Sequence, residues 1–238
     1  GQVVNWEPFV SKPFFESLAA IESAKAAYKN VLCDVGANQP FLDNHDTRMV
    51  NETLAGTTTT VGSQSGKKGL IDSEEDKGCE GFKGLNITEA KRDANWDTDQ
   101  DGMPDWWEEV KGISDGNADE NGDGYTNLEE YLNWLAEPHF TLKQGESVTI
   151  DMKKYFAGYT NNPQFECEAK GDAMSKMSHD TGANEGEYIF TANEDCGKSL
   201  VDYTVKVTDD DNISTYTRTF HFYLTDGSST GIQDILAS

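Results

Sequence analysis

The sequence predicts an α+β protein in two parts, with helices and irregular segments first and short strands second. Three observations lead to this prediction. Apolar residues recur at helical spacing before Pro138, they alternate with a period of two after it, and an aspartate-rich stretch precedes the change. The 238 residues are enough for two modest domains that each bury a core. We therefore expect a helical and irregular domain over 1–137, an all-β domain over 138–226 and a flexible tail over 227–238.

Charge and hydropathy exclude several functions. The chain has 19 Lys and Arg against 43 Asp and Glu, which gives a net charge of −24 and a pI near 4.3. A surface this acidic repels nucleic acid phosphates and anionic lipid headgroups. No apolar run approaches the roughly 18 residues that span a bilayer. Because 36% of the residues are hydrophobic, we expect a globular monomer that binds no nucleic acid and has no membrane span.

Two amphipathic helices are predicted in the first part. The first begins after Ser23, which can cap it, and ends before Gly36. The second runs from about Asn44 to Ala55 and stops at Gly56. The stretch over 57–68, with four consecutive Thr and several Gly and Ser, has no periodicity, so we predict a mobile loop there.

About seven short strands are predicted between His139 and Asp226. In the last of them one set of side chains should point into the core, namely Tyr216, Phe220, Phe222 and Leu224, and the alternate set outward, namely Thr217, Thr219, His221 and Tyr223. Arg218 interrupts the inward set, and we expect it at the edge of the sheet. Strands this short and this closely spaced predict an immunoglobulin-like β-sandwich.

The strongest local signal is a pair of oxygen-rich loops over 97–108 and 119–130. A calcium loop of the EF-hand type needs oxygen ligands at positions 1, 3, 5, 9 and 12, a backbone carbonyl at 7, and Gly at 6. Every position matches in both loops. The predicted ligands are Asp97, Asp99, Asp101, Met103, Asp105 and Glu108 in the first loop, and Asp119, Asn121, Asp123, Tyr125, Asn127 and Glu130 in the second. Because these are hard oxygen donors with no interleaved His or Cys, we predict two calcium ions.

The two loops differ in charge, since the first gathers five carboxylates and the second three. We therefore expect the first to bind calcium more tightly. Each loop leads into a short helix, over 106–111 and 128–135, and only about ten residues separate the loops. That spacing is too short for two complete helix-loop-helix units, so we predict structural clips rather than opening sensors. The alternative for any acidic stretch is a solvated loop without metal.

Other candidate chemistry is sparse. The four histidines are scattered and no nucleophile motif lies near them, so we predict no catalytic residue. Trp107 and Trp134 should pack the calcium helices, whereas Trp106 is the candidate for an exposed platform that stacks on a sugar ring. The four cysteines lack a metal or redox spacing, and we expect one disulfide in each half, Cys33 with Cys79 and Cys167 with Cys196. The alternative is four buried free thiols.

Several motifs occur in one order over residues 23–134. They are Ser-Ala-Lys-Ala-Ala-Tyr-Lys-Asn-Val-Leu from Ser23, Asp-Val-Gly-Ala-Asn-Gln-Pro from Asp34, Asp-Thr-Arg-Met-Val-Asn from Asp46, Gly-Leu-Ile-Asp-Ser from Gly69, Asp-Gln-Asp-Gly-Met-Pro-Asp-Trp-Trp-Glu from Asp99, and Asn-Leu-Glu-Glu-Tyr-Leu-Asn from Asn127. Together they resemble the C-terminal segment of secreted bacterial pectate lyases of the first polysaccharide lyase family. The resemblance covers nearly half of the chain.

The resemblance implies a role in polysaccharide degradation without assigning activity to any residue here. In such lyases a long parallel β-helix carries the substrate groove, the catalytic calcium and an arginine base, and nothing in this sequence repeats with that period. The resemblance therefore implies a non-catalytic, calcium-binding portion that supports or tethers a parent enzyme acting on plant cell-wall polysaccharide. Its location would be secreted, periplasmic or at the cell surface.

Two alternatives remain open. The first is a free-standing, calcium-stabilised module that binds carbohydrate or a cell surface through its β-sandwich. The second is a dockerin-like module, which the paired loops suggest. Dockerin repeats usually end on Asp, and this chain has Glu108 and Glu130 at that position, which disfavours the second alternative.

Overall fold

The computed structural model describes residues 9–12, 14–40, 42–76 and 95–227. Its helices are α1 (Ala24–Val31), α2 (Asn44–Ala55), α3 (Asp105–Lys111), α4 (Asn127–Ala136) and α5 (Ala173–Lys176). Its strands are β1 (His139–Lys143), β2 (Ser147–Asp151), β3 (Gln164–Ala169), β4 (Met177–Thr181), β5 (Glu187–Ala192), β6 (Ser199–Thr208) and β7 (Tyr216–Thr225). The α+β class and the presence of strands after Pro138 are as the sequence predicts.

Helix α1 begins after Ser23 and α2 ends at Gly56 as predicted, whereas α1 ends at Val31, well before Gly36. The Ser23 side chain accepts a hydrogen bond from the Ala26 N–H at the start of α1. Asp43 does the same for α2, which ends at Gly56 in the left-handed region at φ 61°. Thr126 and Glu129 form a reciprocal capping box at the start of α4. Local sequence therefore sets these boundaries.

The strands form two sheets that share one core. A four-stranded sheet has the order β1-β7-β6-β3, with β1 parallel to β7 and the other neighbours antiparallel. A three-stranded antiparallel sheet has the order β2-β5-β4. Side chains from both sheets form the shared core, among them Ile150, Phe190, Val205, Phe220 and Phe222. The inward set predicted for β7 is confirmed, because Phe220, Phe222 and Leu224 are buried in this core and Tyr216 packs partly buried against it.

Arg218 is not at a sheet edge, and this expectation is wrong. Strand β7 is an inner strand between β1 and β6, and Arg218 is 3% exposed. Its guanidinium donates to the Cys33 carbonyl oxygen at 2.8 Å and pairs with Asp34 and Glu137 at 3.2 and 3.3 Å. The apolar face tolerates a buried arginine because acceptors from the first part of the chain neutralise its positive charge.

Helix α1 docks directly on the strand region. Lys29 is buried and its ammonium pairs with Asp209 and Asp211 in the β6–β7 turn. One turn further along, Cys33 belongs to the core that the two sheets share. The domain boundary near residue 138 stays a prediction, and Cys33, just after α1, contributes to the core on the far side of it.

The stretch over 57–68 has neither helix nor regular strand, but it is held in place by hydrogen bonds. Val61 and Lys68 form an antiparallel bridge. The carboxylate of Asp72 accepts from the backbone N–H groups of Gln64 and Ser65 at 2.9 and 2.6 Å. The prediction of a mobile loop missed these contacts, because the accepting carboxylate of Asp72 lies outside the stretch itself.

The two predicted disulfides have different outcomes. Cys79 lies outside the described residues, so the structure says nothing of its pairing with Cys33. Cys167 and Cys196 are both free thiols in the structure. Cys167 lies opposite Val205, six residues from the start of β6, which is roughly 20 Å along a strand. Cys196 lies before β6, and a disulfide requires Cα atoms within about 7 Å, so the two cannot be joined.

Candidate metal centre

The first predicted loop, over 97–108, has a backbone organised by its own carboxylates. Asp97 accepts hydrogen bonds from the backbone N–H groups of Gln100 at 2.7 Å and Gly102 at 3.0 Å. Gln100 and Gly102 both have positive φ, at 63° and 101°. Glycine suits the second of these positions because L side chains rarely adopt that conformation. The turn folds the chain back so that the first three aspartates face one another.

The structure brings three of the first loop's predicted ligands together. Oxygen atoms of Asp97, Asp99 and Asp101 all lie within 4.8 Å of one another. Burial raises the pKa of Glu108, and the negative charges of Asp99, Asp101, Asp105 and Asp97 raise it further. The aspartates at positions 1, 3 and 5 are therefore the grouped ligands of this loop.

Asp105 and Met103 take other roles in the described geometry. Both oxygens of Asp105 accept from Thr98, at 2.7 Å from its N–H and 2.6 Å from its hydroxyl, which lowers the Asp105 pKa. The side chain of Met103 is fully buried in an aromatic cluster, and only its backbone carbonyl could serve as a ligand. To serve as the position-9 ligand, Asp105 would have to release Thr98 or contact the ion through a water molecule.

The second loop, over 119–130, repeats the same backbone. Asp119 accepts from the N–H groups of Gly122 at 2.8 Å and Gly124 at 3.1 Å, the spacing that Asp97 uses in the first loop. Gly122 and Gly124 have positive φ at 72° and 97°, at the same two positions. The repeat in sequence is therefore also a repeat in conformation.

The side chains of the second loop are partnered differently. The Asn121 amide donates to Asp123 at 3.2 Å and to Glu130 at 2.5 Å. The other oxygen of Glu130 pairs with the ammonium of Lys111 at 2.9 Å. Asn127 donates its side-chain amide to the Asp115 carbonyl, and the side chain of Tyr125 is exposed. Three predicted ligands are thus brought together here, and Asn127 is held by the connection between the loops.

Each loop leads into a helix of one aromatic cluster. Met103, Trp106, Trp107, Tyr131, Trp134 and Tyr223 are its buried members. The rings of Trp107 and Trp134 lie 5.6 Å apart, so their predicted packing role is confirmed. Trp106 is 5% exposed and stacks on Tyr223 of β7 at 4.2 Å, so its role as an exposed platform is wrong. Tyr223 belongs to the outward set of β7, and α3 and α4 cover it.

Sequence reasoning missed Lys111 and Tyr223. Nothing in the period-two pattern of β7 tells whether a helix covers its outer face. Lys111 is a single lysine at the end of a short helix, and no sequence motif marks it. His139 and His221 pack against Trp134, with ring centroids 4.8 and 5.7 Å from the Trp134 ring.

The donor set fits calcium. The grouped atoms of the first loop are carboxylate oxygens, which a hard cation prefers, whereas in the second loop the Asn121 amide N–H faces the carboxylates of Asp123 and Glu130. The sharp turns at Gly102 and Gly124 match the glycine position of such loops. Within the described part of the chain, no helix is long and apolar enough to cross a membrane.

Comparisons with known proteins give only distant likenesses. No protein-family profile matches the sequence, and no curated protein does. A nucleoside hydrolase-related hypothetical protein from Saccharophagus degradans, described as associated with carbohydrate metabolism, is 9% identical over 38% of this chain and 22% of its own, with a TM-score of 0.29. An endo-fucoidan hydrolase from glycoside hydrolase family 107 is 8% identical over 38% of this chain and 13% of its own, with a TM-score of 0.26. The titin M3 domain is 11% identical over 37% of this chain and 88% of its own, with a TM-score of 0.24. These likenesses are too remote to establish a family or a function.

Proposed function

We propose that this chain is the non-catalytic, calcium-binding C-terminal portion of a secreted pectate-lyase-like protein. In this proposal two calcium ions hold α3 and α4 on the outer face of the four-stranded sheet. The observation that carries it is the repeated loop, in which Asp97 and Asp119 organise the same turn and a glutamate stands at the twelfth position of each loop. Asp97, Asp99, Asp101 and Glu108 would hold one ion, and the second loop the other.

The charge balance of the first loop supports this proposal. Several carboxylates lie close together there, and burial, followed by the negative charges of the neighbouring aspartates, raises the Glu108 pKa. A divalent cation would relieve the repulsion among these carboxylates, and its binding free energy would then stabilise the folded chain. Because each loop runs straight into a helix of the aromatic cluster, an ion in the loop would also fix the position of that helix.

The remaining chemistry supports a non-catalytic role. Elimination from a uronate needs a base near the proton to be removed, and cations that stabilise the developing charge. Arg48 pairs with Glu52 at 2.8 Å, and Arg218 is buried in its own acceptors. Arg92 lies outside the described residues. A net charge of −24 would also repel a polyanionic substrate from most of the surface.

The finer fold assignment belongs with this proposal. The two facing sheets, their order and the parallel pairing of β1 with β7 support an immunoglobulin-like sandwich. On this view the sandwich and the calcium loops together support or tether an enzyme that acts on plant cell-wall polysaccharide. The expected location is secreted, periplasmic or at the cell surface.

Thermal unfolding with and without a chelator tests the proposal. Calcium at about 100 times its dissociation constant should stabilise the chain by about 2.7 kcal/mol for each site. Asp97→Asn should remove part of this gain, and Asp180→Asn, which changes an exposed carboxylate on β4, is the matched control. Identical melting in calcium and chelator would refute calcium binding. Release of unsaturated product from polygalacturonate, followed by ultraviolet absorbance, would refute the non-catalytic role.

A further inference from the structure

The two loops match the same ligand pattern but differ in how their charge is compensated. In the described part of the chain, no lysine or arginine pairs with a carboxylate of the first loop, over 97–108. In the second loop, over 119–130, both oxygens of Glu130 already have donors from this chain. The first loop therefore presents free negative charge, and the second is partly neutralised from within.

Lys111 supplies that neutralising charge. It is the last residue of α3, and its ammonium lies 2.9 Å from Glu130 Oε2 and 5.4 Å from the centroid of the Trp107 ring. The ring holds the ammonium on its face while the carboxylate holds it from the side. The Glu130 side chain is 19% exposed, so solvent screens this pair less than it screens the surface pairs, such as Lys170 with Glu168.

Glu130 is the position-12 ligand, which normally gives both of its oxygens to calcium. An ion in the second loop must therefore compete with the Lys111 ammonium for Oε2, and it also meets repulsion from that positive charge. The first loop has no such competitor among the described residues. This inference rests on the proposed function and adds a residue that makes the calcium affinities of the two loops differ.

We propose that Lys111 is a tethered cation that lowers the calcium affinity of the second loop, so that the first loop fills first. The smaller number of carboxylates in the second loop acts in the same direction. Lys111 is an affinity-determining residue that acts through Glu130 and is not itself a ligand. Removing its charge should strengthen calcium binding at the second loop by about tenfold, the usual effect of one hydrogen bond to a charged group.

The two sites can be followed separately by NMR. The Gly102 N–H donates to Asp97 and the Gly124 N–H donates to Asp119, so each amide resonance reports its own loop. In the wild-type chain, Gly102 should shift at lower calcium concentration than Gly124. In Lys111→Met the Gly124 midpoint should move about tenfold lower while the Gly102 midpoint stays in place, and Lys111→Gln should do the same.

Two further variants control for charge and for folding. Lys170→Met removes a lysine that pairs with Glu168 at 2.8 Å at the end of β3, away from both loops, and it should leave both midpoints unchanged. Lys111→Arg keeps the charge and should keep the wild-type order of filling. An unchanged Gly124 midpoint in both Lys111→Met and Lys111→Gln would overturn the role of Lys111, even if calcium binds. If neither glycine shifts in the wild-type chain, the proposed function itself fails, and the role of Lys111 with it.

Discussion

Replacing Lys29 by methionine should destabilise the fold more than any change of a surface lysine. Lys29 lies on α1 and is 5% exposed, and its ammonium pairs with Asp209 and Asp211 in the β6–β7 turn. Methionine keeps most of the volume of the side chain and removes the charge. Asp209 would then be left buried without its cation, which is the costly way to break a buried pair.

The expected cost follows from that burial. The side chain of Asp209 is fully buried and that of Lys29 is 7% exposed, so the loss should be about 3 kcal/mol. For a chain of this size each kcal/mol lowers the melting temperature by about 2–4 °C, which gives about 6–12 °C. Lys25→Met, an exposed change on the same helix, should cost less than about 0.5 kcal/mol.

The effect of Lys29→Met should depend on pH in a defined way. Burial lowers the pKa of Lys29, but hydrogen bonds and the charges of Asp209 and Asp211 outweigh it, so the pKa is raised overall. The hydrogen bond from Lys29 lowers the pKa of Asp211. The stabilisation from Lys29 is thus complete below its unfolded pKa of about 10.4 and is lost as the pH rises through the folded pKa. The stabilisation from Asp211 is present above about pH 4 and is lost at lower pH.

Urea unfolding of Lys29→Met, Asp209→Asn and the double variant measures the pair. We expect the double variant to be less destabilised than the sum of the two single changes. Additive single changes, or a loss in Lys29→Met no larger than in Lys25→Met, would show that α1 is not anchored through this pair. Helix α1 would then not belong with the strand region.

Two other predictions follow from the core and the cysteines. Tyr223→Ala should lower the free energy of unfolding by about 3–5 kcal/mol. It should also change the tryptophan fluorescence, because Trp106 stacks on Tyr223. An unchanged spectrum would mean that α3 does not rest on the sheet. Peptide mapping without reduction should find Cys167 and Cys196 unlinked, and a disulfide-linked Cys167–Cys196 peptide would contradict the strand register. Thiol reagents should modify Cys167 only after unfolding, because burial raises the pKa of Cys167 to about 12.

Local patterns predicted the elements well because the forces that set them are local. Ser23, Asp43 and Gly56 mark helix ends through hydrogen bonds and backbone conformation within a few residues. The alternation in β7 likewise identified the inward face, since a strand with one side on a core must place every second side chain there. The loop motif fixed the turn geometry, because the aspartate at position 1 and the glycine at position 6 act on their own backbone.

Contacts between distant parts of the chain could not be predicted in this way. Arg218 looked like an edge residue because its neutralising partners, Cys33 and Asp34, lie over 180 residues earlier. Trp106 looked like a platform because its partner Tyr223 is over 100 residues away. The expected Cys167–Cys196 bond failed for a related reason, since nearness in sequence does not give strand register. These errors come from tertiary packing, which no local pattern encodes.

Calorimetric titration of the metal-free chain with calcium tests the central claim most directly. The account predicts two ions per chain, the tighter one in the loop over 97–108. Glu108→Gln should abolish the tighter event and leave the weaker one, and Glu130→Gln should do the reverse, because each removes the closing ligand of one loop. No calcium binding, or two binding events that neither variant alters, would contradict the account.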